Sequence, residues 1–268
     1  MNSILDHQLH FRTIWISDTH LGTSGARATE LLHFLKYTRS DTLYLVGDII
    51  DGWQLRKKWY WPQPHNDVIQ KILRKARHGT KVVYIPGNHD EAAREFIGLT
   101  FGEIEILEDA VHINPKGERF WVVHGDLFDN VIQHARWLAY LGDTAYVLLL
   151  KINHWLNTVR RLFNMPYWSF SQYLKHKVKH AVSFISAFET AMVREARRRD
   201  CAGVICGHIH KPEIRPVDDV LYCNTGDWVE SISALVEHKD GRLELLHWSE
   251  MMQVSIASRD KVSKMSEA

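Results

Sequence analysis

The sequence predicts an α/β protein built on a largely parallel sheet, and two observations carry that expectation. Apolar, β-branched runs at Thr13–Ser17, Thr42–Val46 and Lys81–Ile85 alternate with segments of helical period. Each run stops in a short polar stretch: Asp18-Thr19-His20, Gly47-Asp48-Ile-Ile-Asp51 and Gly87-Asn88-His89-Asp90. Sites in parallel sheets form at the carboxyl ends of strands, so these stretches are where chemistry is expected.

The elements follow in order. After the first strand, Leu31, Leu32, Phe34 and Leu35 are spaced for one apolar helix face. After the second, a helix beginning at Asp67 places Val68, Ile69, Ile72, Leu73 and Ala76 on one side, and Gly79 stands where a left-handed residue ends a helix. The third strand runs into Pro86-Gly87, a turn signal. Beyond Glu91, Ile104–Leu107, Ala110–Ile113 and Arg119–Val123 are short strands separated by turn residues, which predicts a second, more antiparallel sheet. The last of them ends in His124-Gly125-Asp126. Residues 131–200 read as helices, and Gly203–Cys206 then leads to Gly207-His208-Ile-His210. Val220–Cys223, Ile232–Val236 and Leu243–Trp248 complete the strands. The expected organisation is a core of 1–128 and 201–249, a helical insertion over 129–200, and a mobile polar tail over 250–268.

Composition narrows the class. The chain has 268 residues, 45% hydrophobic and 24% charged, with net charge +1, the profile of a soluble globular protein rather than a disordered or fibrous one. No run approaches the roughly 18–20 apolar residues of a membrane span. The start, Met1-Asn-Ser-Ile-Leu-Asp-His, lacks the basic and apolar regions of a secretory signal. Cys201, Cys206 and Cys223 are odd in number and without CxxC spacing, so buried reduced thiols in a cytoplasm are expected.

The strand ends collect Asp18, His20, Asp48, Asn88, His124, His208 and His210. Carboxylate, amide oxygen and imidazole without thiolate form a donor set for Mn, Fe or Zn. Seven ligands exceed the needs of one such ion and suit two ions that share a carboxylate. In D-x-H and H-x-H pairs on extended backbone, side chains two apart point the same way. A single histidine at a strand end is more often structural. Five polar motifs, each directly after an apolar strand, are not explained by sheet-end capping.

In this order, D-T-H, G-D-I-I-D, G-N-H-D, H-G-D and G-H-I-H resemble the motif set of the calcineurin-like metallophosphoesterase superfamily, over residues 13–126 and 201–248. The resemblance implies a four-layer αββα sandwich, two mixed β-sheets flanked by helices, with a dinuclear centre between the sheets. It implies that Asp18, His20 and His210 hold one metal, that Asn88, His124 and His208 hold the other, and that Asp48 bridges them. The implied cofactor is a pair of divalent ions, Mn first, with Fe, Zn, Ni or Co as alternatives. The implied reaction is attack of a metal-bridging hydroxide on phosphorus. His89 adjoins a ligand yet is spare, which makes it the candidate to protonate the leaving group, and Asp51 resembles the superfamily carboxylate that orients it. Asp90 and Asp126 are either partners that fix ligand histidines or turn formers.

The insertion bears on the substrate. Residues 131–200 carry 11 Lys/Arg against 4 Asp/Glu, a net +7 that leaves the rest of the chain at −6 against the total of +1. With its many aromatic residues this is a basic, apolar cap, and Lys175, Lys177, Lys179, Trp168 and Tyr173 are its candidate substrate contacts. Such a surface suits an anionic substrate with acyl chains, or peripheral contact with an anionic membrane. It is too apolar, and its cations too helical in placement, for a nucleic-acid platform.

Within the superfamily, a helical cap between H-G-D and G-H-x-H resembles the UDP-2,3-diacylglucosamine diphosphatases of lipid A synthesis. That resemblance implies pyrophosphate hydrolysis of UDP-2,3-diacylglucosamine or a similar lipid-linked phosphate, with release of UMP at the cytoplasmic face of the inner membrane. That family has arginine where this chain has His89. The difference points to the alternative, a phosphodiesterase for soluble nucleotides or other phosphodiesters. A metal-free scaffold would have lost ligands, and none of the seven is missing.

Overall fold

A computed structural model describes residues 8–131 and 185–252. The chain divides into two units, Met1–Asp126 with Met192–Ala268, and Leu127–Ala191. The first unit contains both sheets and all seven expected ligands. Most of the expected helical insertion, including Trp168, Tyr173, Lys175, Lys177 and Lys179, lies outside the described residues, as does the tail beyond residue 252.

In chain order the first half contains β1 (Leu9–Ile16), α1 (Ala28–Tyr37), β2 (Thr38–Val46), α2 (Gly52–Lys57), α3 (Gln63–Arg77), β3 (Lys81–Ile85), β4 (Thr100–Phe101) and β5 (Ile104–Ile106). Then come β6 (Ala110–Ile113), β7 (Arg119–Val122), β8 (Gly203–Cys206), β9 (Glu213–Val217), β10 (Val220–Asn224), β11 (Ser233–Glu237) and β12 (Leu243–His247). Seven strands form one sheet in the order β12-β11-β1-β2-β3-β5-β4, and five form the other in the order β6-β7-β8-β10-β9. This is an α/β fold of two mixed sheets with flanking helices.

The alternation of side chains along β1 shows why the layers stack as they do. Ile14 and Ile16 join Leu43 and Leu45 of β2 in a core with Leu31, Phe34 and Leu35 of α1 and Val68, Ile72 and Ala76 of α3. Trp15 points the other way. It packs with Tyr44, Val46, Val83 and Ile85 against Phe120, Val122, Ile205 and Cys223 of the second sheet. A strand buried on both faces must be apolar throughout, which is why this run reads as unbroken rather than alternating. Parallel pairing of β1 with β2 and of β2 with β3 leaves their carboxyl ends side by side.

Several expectations need correction. β5 does not belong to the second sheet; it extends the first, parallel to β3. A three-residue strand with Ile104 and Ile106 buried carries a period but no information about which neighbour it joins. The second sheet is mixed, with β7–β8 and β8–β10 parallel and only the outer pairs antiparallel. β9 was not anticipated because Arg215 and Pro216 interrupt its pattern, and it lies at a sheet edge, where proline is tolerated. α3 starts at Gln63 rather than Asp67, because prolines are accommodated in a first helical turn. Gly79 has the expected left-handed backbone, φ +93°. All three cysteines are free and buried. Among the described residues no helix is long and apolar enough to cross a membrane.

Candidate metal centre

The polar stretches that follow β1, β2, β3, β7 and β8 meet at one end of the two sheets. Backbone bonds tie them together: Asp18 N donates to Gly47 O at 3.0 Å, His20 N to Asp48 O at 2.9 Å, and Gly207 N to His124 O at 3.2 Å. Side chains add to this, since His208 N donates to Asp18 Oδ2 at 2.9 Å and His89 N to Asp48 Oδ1 at 2.8 Å.

Beside a group of His20, Asp51 and His89, two further groups of side chains result among the described residues. In one, ligand atoms of Asp18, His20 and His210 all lie within 4.8 Å of one another; in the other, so do those of Asp48, His124 and His208. Asp48 faces both, with Oδ1 3.5 Å from His124 Nε2 and Oδ2 3.9 Å from His20 Nε2. Asp51 Oδ2 stands 3.2 Å from His20 Nδ1 and 2.9 Å from His89 Nδ1, while its Oδ1 accepts from Gln54 N at 2.8 Å and so caps α2. His89 packs edge-on against His20 and lies against the Trp53 ring, centroids 4.3 Å apart.

The backbone reaches this arrangement differently from the expectation. Asp18, His20, Asp48, His208 and His210 all have positive φ, between +45° and +71°. The D-x-H and H-x-H pairs are therefore not extended: β1 and β8 have already ended at Ile16 and Cys206, and the chain turns through left-handed residues across the sheet ends. Such conformations cost a non-glycine residue about 1–3 kcal/mol each and persist where surrounding contacts impose them. Space is equally constrained. A Cβ on Gly207 would run into Asp18 Oδ2 and Ser17 Oγ, and one on Gly87 would lie 2.7 Å from Asp48 N.

Charge and burial work against each other. Burial alone would raise the Asp18 carboxyl, yet His210 at 3.1 Å, with His124, brings it down to about 2. Burial likewise opposes ionisation of Asp48, and His124, His20 and His89 pull it well below the usual carboxylate range. His124 is fully buried, which disfavours its charge, but Asp48, Asp18 and Asp126 raise its pKa to about 10. The pocket is thus a place where carboxylates draw positive charge.

The residues fit divalent cations. His124 Nδ1 lies 2.9 Å from Val46 O, an acceptor only, so Nδ1 carries the hydrogen and Nε2 is the free donor atom aimed inward. Asn88 Oδ1 and Nδ2 are buried with no hydrogen-bond partner, while Asp18 Oδ1 lies 3.1 Å from His210 Nε2. Buried acceptors left this way are costly unless a cation answers them. Oxygen and imidazole donors without sulfur suit ions of the Mn, Fe and Zn type.

Two carboxylates behave otherwise than expected. Asp90 touches no ligand histidine; it accepts from Ile49 N at 2.7 Å and Gly87 N at 2.6 Å, clamping the loop after β2 to the loop after β3. Asp126 pairs with Arg94 at 2.6 Å. A sixth strand end escaped notice altogether. Asn224-Thr225-Gly226-Asp227 follows β10, where Thr225 Oγ1 lies 2.6 Å from Ser17 Oγ, which itself donates to Asp18. Asn224 Nδ2 donates to Gly207 O at 2.6 Å. The same signal, polar residues directly after an apolar run, could have found it.

Comparison with known proteins accords with this geometry. A model of the calcineurin-like phosphoesterases matches residues 11–212. A UDP-2,3-diacylglucosamine hydrolase of Aeromonas hydrophila is 26% identical over 248 residues, covering 84% of this chain and 93% of that protein. Those of Yersinia enterocolitica and Yersinia pseudotuberculosis are 24% and 25% identical, each covering 77% of this chain and 85% of the relative. With its match spanning well over half the sequence, and with side chains that can hold divalent metal ions, the chain belongs to the calcineurin-like phosphoesterase family and is a phosphoester hydrolase.

Proposed function

We propose that this hydrolase cleaves the pyrophosphate of UDP-2,3-diacylglucosamine or a closely similar lipid-linked nucleotide, using two Mn ions. The observation that carries the chemistry is Asp48, whose two oxygens face the two ligand groups. The name of the relatives supports the substrate. Asp18, His20 and His210 would hold one ion, Asn88, His124 and His208 the other, with Asp48 shared. When bound, such a pair supplies a nucleophile from water near neutral pH and neutralises phosphate oxygens.

The chain's own groups do the rest. His89, its Nδ1 held by Asp51, presents Nε2 3.9 Å from Asp48 Oδ2 and delivers a proton to the departing oxygen. Asp51 fixes the tautomer by accepting at Nδ1, which reserves Nε2 for that transfer. Lys175, Lys177, Lys179, Trp168 and Tyr173, within the 129–200 insertion, would bind the lipid-linked substrate and contact an anionic membrane surface.

Release of UMP from UDP-2,3-diacylglucosamine by Mn-loaded protein tests this reading. Turnover of simple phosphodiesters without any of the lipid nucleotide would replace it with the second reading, a phosphodiesterase for soluble nucleotides. The G-N-H-D form of the loop after β3, a departure from the G-N-R-D that the resemblance implies, favours that alternative.

A further inference from the structure

The last turn of α2 and the residues after it have a composition that the metal centre does not use. Arg56, Lys57, Lys58, Trp59, Tyr60 and Trp61 follow one another without an acidic residue. Trp59 is 74% exposed and Tyr60 41%, and the Arg56 side chain is 68% exposed. Large exposed aromatics cost solubility and are seldom left in the open without a partner.

The segment is also built rather than loose. Tyr60 and Trp61 both pack edge-on against His65, with centroids 5.7 and 5.5 Å away, and buried His65 accepts from Gly22 N at 2.9 Å. At its other end α2 is capped by Asp51 and held by Trp53, whose Nε1 donates to Glu91 at 3.3 Å. Trp59 therefore projects from a braced loop. The 3₁₀ turn that begins at Glu91 leads on to Leu99 and Phe101, exposed by 58% and 66%.

We propose that the Arg56–Trp61 loop docks on the surface of an anionic phospholipid bilayer, seating Trp59 among the headgroups. Tryptophan and tyrosine beside lysine and arginine are the residues that settle at a membrane interface, where the rings meet the acyl boundary and the cations meet lipid phosphate. Arg56 stands 3.9 Å from Glu91, and Lys57 and Lys58 beside it are cations that match an anionic leaflet in charge. Nucleic acid would accept the cations and the rings as well, and the test below separates it from lipid. Arg56 lies three residues beyond Trp53, whose ring packs on His89, so a bilayer held here would present an amphiphilic phosphate beside the metal centre. The inference shares with the proposed function the idea of a membrane-borne substrate, and its test is scored without turnover so that the two can fail separately.

The test is co-sedimentation of the full metal-loaded chain with vesicles of phosphatidylglycerol and phosphatidylcholine, compared with phosphatidylcholine alone. Wild type should partition onto the anionic vesicles, less so at high salt. Trp59→Ala should lower the partition coefficient about tenfold. Arg56→Gln/Lys57→Gln/Lys58→Gln should lower it roughly 100-fold, at about fivefold per cation. Both variants should keep wild-type metal content and circular dichroism. Wild type that stays in the supernatant overturns the proposal, as do variants that sediment like wild type. Binding lost only in Lys175→Gln/Lys177→Gln/Lys179→Gln would move the contact to the cap and overturn it too. A gel shift of single-stranded oligonucleotide that vanishes in the triple glutamine variant, without vesicle binding, would put nucleic acid in place of lipid. Vesicle binding without hydrolysis of the diacylated sugar nucleotide would leave the docking surface standing and remove the proposed substrate.

Discussion

Asp90→Asn is the sharpest probe of how the centre is held. Oδ1 of Asp90 accepts from Gly87 N at 2.6 Å and reaches Asp48 N at 3.3 Å, and Oδ2 accepts from Ile49 N at 2.7 Å. Asparagine has the same shape but turns one of these acceptors into an NH₂ that faces a buried backbone N–H. One close hydrogen bond to a charged acceptor is lost, at about 1.5–3 kcal/mol, and the facing amide is left unsatisfied. The two loops so released carry Asp48 and Asn88. Support of this kind is worth about 10–100-fold in metal affinity. Calorimetric titration of metal-free protein with Mn should therefore show Kd raised by that factor, together with a lower Tm of the metal-free chain. An unchanged Kd beside a lowered Tm would refute the reasoning, because Asp90 would then brace the fold without placing the ligands.

The other predictions are briefer. Asp48→Ala should abolish turnover and lower metal content by elemental analysis, since both ligand groups face that carboxylate. His89→Ala should retain both ions yet cost roughly 10²–10⁴ in kcat, and loss of metal in that variant would show that His89 is a ligand rather than the proton donor. Gly207→Ala should destabilise the chain and strip metal together, because the new methyl collides with Asp18 and Ser17; a Tm within 2 °C of wild type is the contrary outcome. Glu237, buried in β11, has its pKa lowered: burial opposes its charge, but His112 and Arg12 prevail. A depressed carboxyl contributes stability that is present above the unfolded value of 4.5 and lost as pH falls through its lower folded value. The gap in Tm between wild type and Glu237→Gln should therefore be widest above pH 4.5 and close below it.

Much of the fold was legible because the central strands are buried on both faces and so are apolar without interruption, as Thr42–Val46 and Lys81–Ile85 show. The polar first half of β2, Thr38-Arg-Ser-Asp, gave no such signal, since it pairs with the outer end of β1. Sheet membership was not legible for Ile104–Ile106, whose two isoleucines would serve either sheet. Within the site, ligand types and order could be read because each follows a strand. The left-handed backbone at Asp18 and His208 could not, because it is imposed by bonds such as Asp18 N to Gly47 O and His208 N to Asp18 Oδ2 between residues distant in the chain. Asp90 read as either a histidine partner or a turn former for the same reason: its donors are Ile49 N, 41 positions earlier, and Gly87 N of its own loop.

Asp51 has a consequence beyond its own contacts. One carboxylate grips the start of α2, the His20 ring and the His89 ring. Any force that tilts the first turn of that helix must swing both imidazoles at once.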